Sequence, residues 1–393
     1  MSWPLAAACI VTFLHHVGAQ MRGPVLPLYA VAHGATPTGV GVIVAAHMAV
    51  AAVGSVPLGR ASDLAGRRRL LLAGMAVSGI TSGLLPLVEG TAALAVIYGL
   101  AGLGVAAFTP SALSLVADLA APGAMGRAYA WYATAHYGAI GVGAFIGGVV
   151  AGVWGYRPAF VAGAGVVAVA SGFGWLTVRD PVDERAATAR RGATLRDVRS
   201  NRAVWAGWTV AGAGMATQGV VFTFFPLLAD DRGLAPAAIG LVFLVLGVAN
   251  TGARVPAGRL VDRTKHPMSC AIAGVAVASL ATAALPFAHG HAALFVLAAV
   301  FGAASGAAGV AIGVALAHAA SPATRGLVMG GYSTCLYLGL AVGSLAAGPV
   351  IARHGHVGGF LGGAVTGVIG ALVAGGLWAG PRPRRPSPTP GTR

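Results

Sequence analysis

Thr12, His15, His16, Gln20 and Arg22 interrupt an otherwise apolar stretch near the start of the chain. On an α-helix, Thr12, His15 and Arg22 share one face, and His16 and Gln20 lie on the adjoining one. Imidazoles can bind a substrate, ligate a metal or carry a proton, and a guanidinium can hold an anion. His136 and Tyr137 form a second such group, with Tyr337, Gln218 and Asn250 as further polar residues set in apolar runs. For each of these singly, an interhelical hydrogen bond that supports packing competes with substrate contact. His47 reads as structural. The adjacent His15 and His16 point about 100° apart on a helix, a poor metal geometry, so no metal and no cofactor is expected. The chain has no H-E-x-x-H, G-x-S-x-G or Walker loop, which argues against an enzyme and against a nucleotide-driven pump.

What must position these groups follows from composition. Of 393 residues, 57% are hydrophobic and 9% charged, with a mean hydropathy of +0.80; soluble domains average about 25% charged. So few polar side chains would not cover a water-exposed surface, and the chain reads as an integral protein of the lipid bilayer. Cys9, Cys270 and Cys335 suggest neither a C-x-x-C pair nor a disulfide framework. About 20 apolar residues cross a bilayer core of ~30 Å. Twelve such segments can be placed, at 4–32, 38–58, 70–88, 91–120, 128–153, 157–178, 203–228, 236–257, 267–287, 291–319, 326–352 and 356–379. Transmembrane barrels read instead as short alternating segments, so the expected fold is all-α and polytopic. The first segment carries His15, His16 and Arg22 without a basic leader and is not read as a cleavable signal.

The formal net charge of +15 would suggest nucleic-acid binding in a soluble chain. Here it marks topology instead. With the N-terminus inside, the inner loops collect Arg60, Arg67, Arg68, Arg69, Arg127, the arginines from Arg179 to Arg202, Arg254, Arg259, Arg263, Lys265, Arg325 and those of the tail. Outside lie Arg157, Arg232 and Arg353, and Arg22 stays in the membrane. This asymmetry predicts a multi-pass protein of the cytoplasmic membrane with both termini cytoplasmic, and no nucleic-acid partner. The seven tryptophans fall near segment ends, where an interfacial belt would place them.

Residues 179–202 are the long polar stretch inside the chain and read as a cytoplasmic linker between two six-helix halves, 1–178 and 203–380. Residues 381–393, rich in proline and arginine, read as a disordered cytoplasmic tail. The halves repeat. Pro27, Pro37, Pro57, Gly59, Arg60 and Asp63 recur at one constant spacing as Pro226, Pro236, Pro256, Gly258, Arg259 and Asp262. One residue is then inserted, after which Pro86, Tyr132, Thr134, Tyr137 and Phe160 recur as Pro286, Tyr332, Thr334, Tyr337 and Phe360. Six helices per half make the repeat parallel, with its pseudo-two-fold axis along the membrane normal, an architecture of alternating-access transport.

The loop after the second segment reads Gly59-Arg-Ala-Ser-Asp63-Leu-Ala-Gly66-Arg67-Arg68-Arg69, and the matching loop Gly258-Arg259-Leu-Val-Asp262-Arg263-Thr-Lys265. The first resembles the signature G-x-x-x-D-x-x-G-R-[KR] of the major facilitator superfamily, and the second is a weakened copy. The resemblance covers nearly the whole chain, including Pro24-Val-Leu-Pro27-Leu-Tyr29 and Phe108-Thr-Pro110 through Asp118. It implies two pseudo-symmetric six-helix bundles around a central cavity. Asp63 and Arg67 are spaced to pair across one helical turn. The resemblance implies that they join Asp118 in a cytoplasmic gate, built with Gly59, Gly66, Arg67 and Arg68, a charge-linked latch that holds the cytoplasmic ends of the two halves together in the outward-facing state. The competing role for these arginines is topology alone. In the second copy (Gly258, Arg259, Asp262, Arg263), no Arg lies four after Asp262, and His318 stands where Asp118 does.

Three departures narrow the subfamily. The fourth segment lacks the Arg of R-x-x-Q-G, the fifth reads Gly143-Ala-Phe-Ile-Gly147-Gly148 without the proline of the antiporter motif, and no carboxylate lies at mid-membrane. The resemblance implies a secondary transporter: a permease exporting a small molecule, drug-like or a secondary metabolite, with protons as candidate coupling ion. The alternative is an organic anion recognised by Arg22, and a remote one is a non-transporting sensor or scaffold. A guanidinium at membrane depth costs about 2.5–3.5 kcal/mol on insertion scales, so Arg22 either faces the cavity or snorkels to the outer interface. The candidate cavity lining is Arg22, His15, His16, Gln20, His136, Tyr137, Gln218, Asn250 and Tyr337.

Overall fold

The computed structural model describes residues 2–121, 124–180, 195–321 and 324–379. The proposed tail and most of the proposed linker lie outside the described residues. The helices are α1 (Trp3–Gln20), α2 (Val25–Ala32), α3 (Pro37–Ala65), α4 (Arg67–Leu84), α5 (Thr91–Leu119), α6 (Met125–Trp154), α7 (Tyr156–Thr177), the single turn α8 (Leu195–Val198), α9 (Arg202–Asp230), α10 (Pro236–Thr264), α11 (Pro267–Ala284), α12 (Gly290–Ala319) and α13 (Arg325–Ala379). Among the described residues, 11 helical stretches are long and apolar enough to cross a membrane. The last of them, α13, is interrupted at Gly355 (φ 66°, ψ −176°) and so makes two crossings. The twelve expected spans are present, and no strand occurs among the described residues.

Local signals set the ends. Thr36 accepts a hydrogen bond from the Gly39 N–H (3.2 Å) with Pro37 opening α3, and Asn201 caps α9 through the Val204 N–H (3.4 Å). The first span is not the continuous helix expected. It breaks at residues 21–24, because Pro24 has no N–H to donate, and Arg22 sits in the break. At the ends that carry Asp63 and Asp262 the helices outrun the apolar windows. With 29 residues each, α3 and α10 are ~43 Å long at 1.5 Å per residue, well past the ~30 Å hydrocarbon core. Asp63 and Asp262, expected in loops, therefore lie on the last turns of α3 and α10, and Arg67–Arg69 open α4. Arg254, assigned from sequence to the inner surface, lies well inside α10.

Large apolar side chains cover the outside, with Val53 77% and Leu64 90% exposed, as lipid-facing surfaces require. Trp3, Trp131, Trp154 and Trp175 are exposed, but Trp208 is buried and donates from Nε1 to Val328 O (3.0 Å). It is an internal brace of the second bundle, not part of a membrane-interface belt.

Three apolar cores hold the molecule together. One combines residues of both bundles: Val25, Leu26, Tyr29 and Phe160 with Phe224, Phe243, Phe301 and Phe360. The other two stay within one bundle each, around Met75, Phe108, Leu115 and Tyr132 in the first and Trp208, Val275, Ile312 and Leu316 in the second. The shared core lies at the end opposite Asp63 and Asp262. The bundles meet along α3 against α13 and α6 against α10, and small residues permit the approach. A Cβ on Gly240 would stand 2.7 Å from Ala144 O, and one on Gly247 2.9 Å from Gly141 Cα. The bundles are thus joined at one end and separately cored at the other, which bears the gate motif.

Candidate functional site

At the gate end, Arg67 opens α4 where it reaches two neighbours. It pairs with Asp118 at 2.8 Å and, across the break at Gly66, with Asp63 of α3 at 3.9 Å. The structure therefore brings the sequence-predicted triad together, within the first bundle, on α3, α4 and α5. Gly66 holds a positive φ of 99°, and a Cβ there would stand 2.7 Å from Asp180 Oδ2. That carboxylate receives the Arg68 backbone N–H (2.7 Å), so it occupies the positive end of α4. Arg68 also donates to Trp175 O (2.6 Å) and stacks on the Trp175 ring at 4.8 Å. Gly59 lies against Pro110. Asp180, read from sequence as linker, is thus part of the motif's surroundings, a role visible only once α7 is placed beside α4.

The second copy differs. Arg259, Asp262 and Arg263 are exposed, no ion pair among the described residues includes Asp262, and a Cβ on Gly258 would meet open space. Lys265 stands at the repeat position of Gly66 and adopts a left-handed φ of 58°.

About midway along α1, α5 and α6 lies a layer of rings. His15 stacks on Phe108 (4.1 Å between centroids) and meets His16 edge-on at 5.2 Å. His16 in turn meets His136 edge-on at 4.2 Å. His136 is flanked by Tyr132 (5.9 Å, stacked) and Tyr137 (4.7 Å, edge-on). The His16 Nδ1 lies 2.9 Å from Thr12 O, so it carries the proton and donates. His15 Nδ1, His136 Nδ1 and the Tyr132 hydroxyl are buried without a hydrogen-bond partner among the described residues. Buried polar atoms are rarely left so. The sequence placed His15 and His16 on adjoining faces; the fold supplies Phe108 of α5, whose ring meets both, and His136 of α6, which meets His16.

Arg22 is buried between helices of the first bundle. It is 4% exposed, with Nη1 donating to Ser78 O (3.2 Å) and to Ser82 Oγ, and it lies 5.3 Å from the centre of the Tyr98 ring. It fastens the break between α1 and α2 to α4 and α5. His47 supports the same corner, stacking on Tyr98 (4.2 Å) and contacting Tyr98 O at 2.9 Å. Gln20 packs beside Gly143 of α6. Gln218 and Tyr337 are half-buried on α9 and α13.

Asn250 leads to a residue that sequence reasoning misassigned. Its Oδ1 accepts from Nε (3.2 Å) and Nη2 (3.1 Å) of Arg254, and its Nδ2 donates to Ser305 Oγ (3.3 Å). The Arg254 guanidinium lies 3.5 Å over the Tyr137 ring, a contact across the two bundles. Asn250 and Arg254 are four apart, the spacing that could have flagged the pair.

Comparison with known proteins adds the following. The family model described as Major Facilitator Superfamily matches residues 8–290 and 218–393. A relative described as an uncharacterized MFS-type transporter of Methanocaldococcus jannaschii is 26% identical over 151 residues, covering 38% of this chain and 39% of that protein. The fold is that of the nucleoside transporter NupG, at a TM-score of 0.80 and 13% identity over 95% of this chain and 99% of that one. It is equally that of a bacterial homolog of the human lysosomal transporter Spinster in an inward-facing, unoccupied conformation, at a TM-score of 0.79 and 16% identity over 96% of each chain.

Proposed function

Because the chain belongs to the Major Facilitator Superfamily, we propose that it is a secondary transporter carrying a small molecule across the cytoplasmic membrane by alternating access. The observation that carries this reading is the distribution of cores. The bundles share one apolar core at one end and keep separate cores at the other, with the layer of histidines, tyrosines and Arg254 between them. A protein closed at one end and divided at the other, around polar groups buried without partners, has what a rocking carrier needs.

In this reading, residues 1–178 and 203–380 rock as two bodies about the layer, and 179–202 connects them on the cytoplasmic side. The Asp63, Arg67 and Asp118 cluster steadies the inner end. The excess of Lys and Arg at that end supports cytoplasmic termini. The substrate is a drug-like compound or secondary metabolite moved outward, and the histidine row (His15, His16, His136) is the candidate path for a coupled proton.

The test is a substrate panel in proteoliposomes with an imposed pH gradient. Gradient-dependent efflux of a panel compound is expected. Absence of flux for every compound, with the protein correctly inserted, refutes transport and favours a sensor or scaffold.

A further inference from the structure

We infer that Arg254 is the substrate-recognising cation of this protein, and that the ligand it takes is a small organic monoanion with a flat aromatic body. The inference rests on the transport reading above and names the substrate class of that same site.

Arg254 is half-buried in α10, and among the described residues no carboxylate pairs with it. Its guanidinium is nevertheless held in one orientation. Nε and Nη2 share Asn250 Oδ1, Asn250 is anchored by Ser305, and Ser305 Oγ is fixed to Phe301 O at 2.7 Å. Tyr137 supports the plane from the opposite bundle at 3.5 Å. Nη1 makes no hydrogen bond among the described residues. An oriented guanidinium with donors to spare and no counter-charge is a receptor for a carboxylate.

The surroundings define the rest of the ligand. His136 and Tyr332 lie within electrostatic reach of Arg254. The His136 Nδ1 and the hydroxyl of Tyr132, itself 6% exposed, are buried without partners. Together with the half-buried Tyr137 they make the surroundings of the guanidinium aromatic, which suits a flat apolar body. A single free guanidinium matches one negative charge. The other membrane arginine, Arg22, is 4% exposed and engages Ser78 and Ser82 through both Nη atoms, so the anion is assigned to the half-buried Arg254 in its place.

The test is isothermal titration of the full-length protein in nanodiscs with 2-naphthoate and with its neutral analogue 2-naphthol. The wild type should bind 2-naphthoate more tightly. Arg254→Gln should weaken 2-naphthoate about 10–100-fold, the range of a charged hydrogen bond, and leave 2-naphthol unchanged. Arg254→Lys keeps the charge but loses the planar fork, so its loss should be intermediate; it also guards against a folding defect in the Gln variant. Three results overturn the assignment: no binding of 2-naphthoate, equal binding of the two probes, or loss of anion binding in Arg22→Gln but not in Arg254→Gln. Flux in proteoliposomes separates this from the broader reading. Transport of neutral compounds with no anion preference sinks the anion site alone, whereas Arg254-dependent binding with no flux of any compound sinks transport alone.

Discussion

The closeness of α6 and α10 makes one substitution unusually informative. In Gly240→Ala, the added Cβ would stand 2.7 Å from Ala144 O and 3.0 Å from Phe145 Cα. Both obstacles are backbone of the facing helix, so relief requires the two bundles to move apart at their joined end. Overpacking of this kind costs about 1–3 kcal/mol, and every ~1.4 kcal/mol is tenfold in an equilibrium. The closed form should therefore lose about 5–150-fold in population relative to a form opened at that end. Gly252→Ala is the control. It adds the same methyl to the same helix, where nothing lies within 4 Å, and gains the same helix propensity of about 1 kcal/mol. The readout is maleimide labelling of Ala35→Cys, a buried position in the shared core, with Cys9, Cys270 and Cys335 replaced. Gly240→Ala should label several-fold faster than Gly252→Ala. Equal rates for the two would refute the reasoning, because the joined end would then yield without parting the bundles.

Other consequences are open to measurement. Asp118→Asn should lower thermal stability by about 1–2 kcal/mol for loss of a half-buried charged hydrogen bond, and Asp63→Asn, whose carboxylate is 64% exposed at 3.9 Å, by less than about 0.5 kcal/mol; equal effects in thermal unfolding would contradict the geometry. Gly66→Ala should cost about 1–3 kcal/mol from its positive φ and the clash with Asp180, whereas Lys265→Gly at the repeat position should stabilise by up to about 1 kcal/mol. Trp208→Phe removes the donor to Val328 O and should cost about 1–2 kcal/mol in the same assay. Ser82→Ala should loosen Arg22 and cost about 1 kcal/mol, without the loss of 2-naphthoate affinity predicted for Arg254→Gln.

Periodicity and charge placement were enough to read the membrane class, the twelve spans and the repeat, because lipid demands long apolar helices and the inner face collects arginine. The Asp63–Arg67–Asp118 cluster was legible from the motif's family resemblance; helical spacing did not carry it, because Gly66 ends α3 between Asp63 and Arg67 and Asp118 comes from α5. Boundaries were less so. An apolar window stops where polar residues begin, while helical hydrogen bonding continues past the membrane, which is how Asp63 and Asp262 came to lie on helices.

The identity of the uncompensated cation was decided by tertiary structure alone. In sequence Arg22 read as the membrane arginine and Arg254 as part of the inner surface, and only packing revealed that Arg254 lies within α10. Arg22 meets Ser78, Ser82 and Tyr98 from helices distant in the chain, which engage both of its Nη atoms and bury it. Arg254 meets the face of Tyr137 from the other bundle and a single amide oxygen, which orient it and leave it unsaturated. The satisfaction of a buried polar group depends on partners that the repeat brings alongside in space, and no spacing along one helix records them.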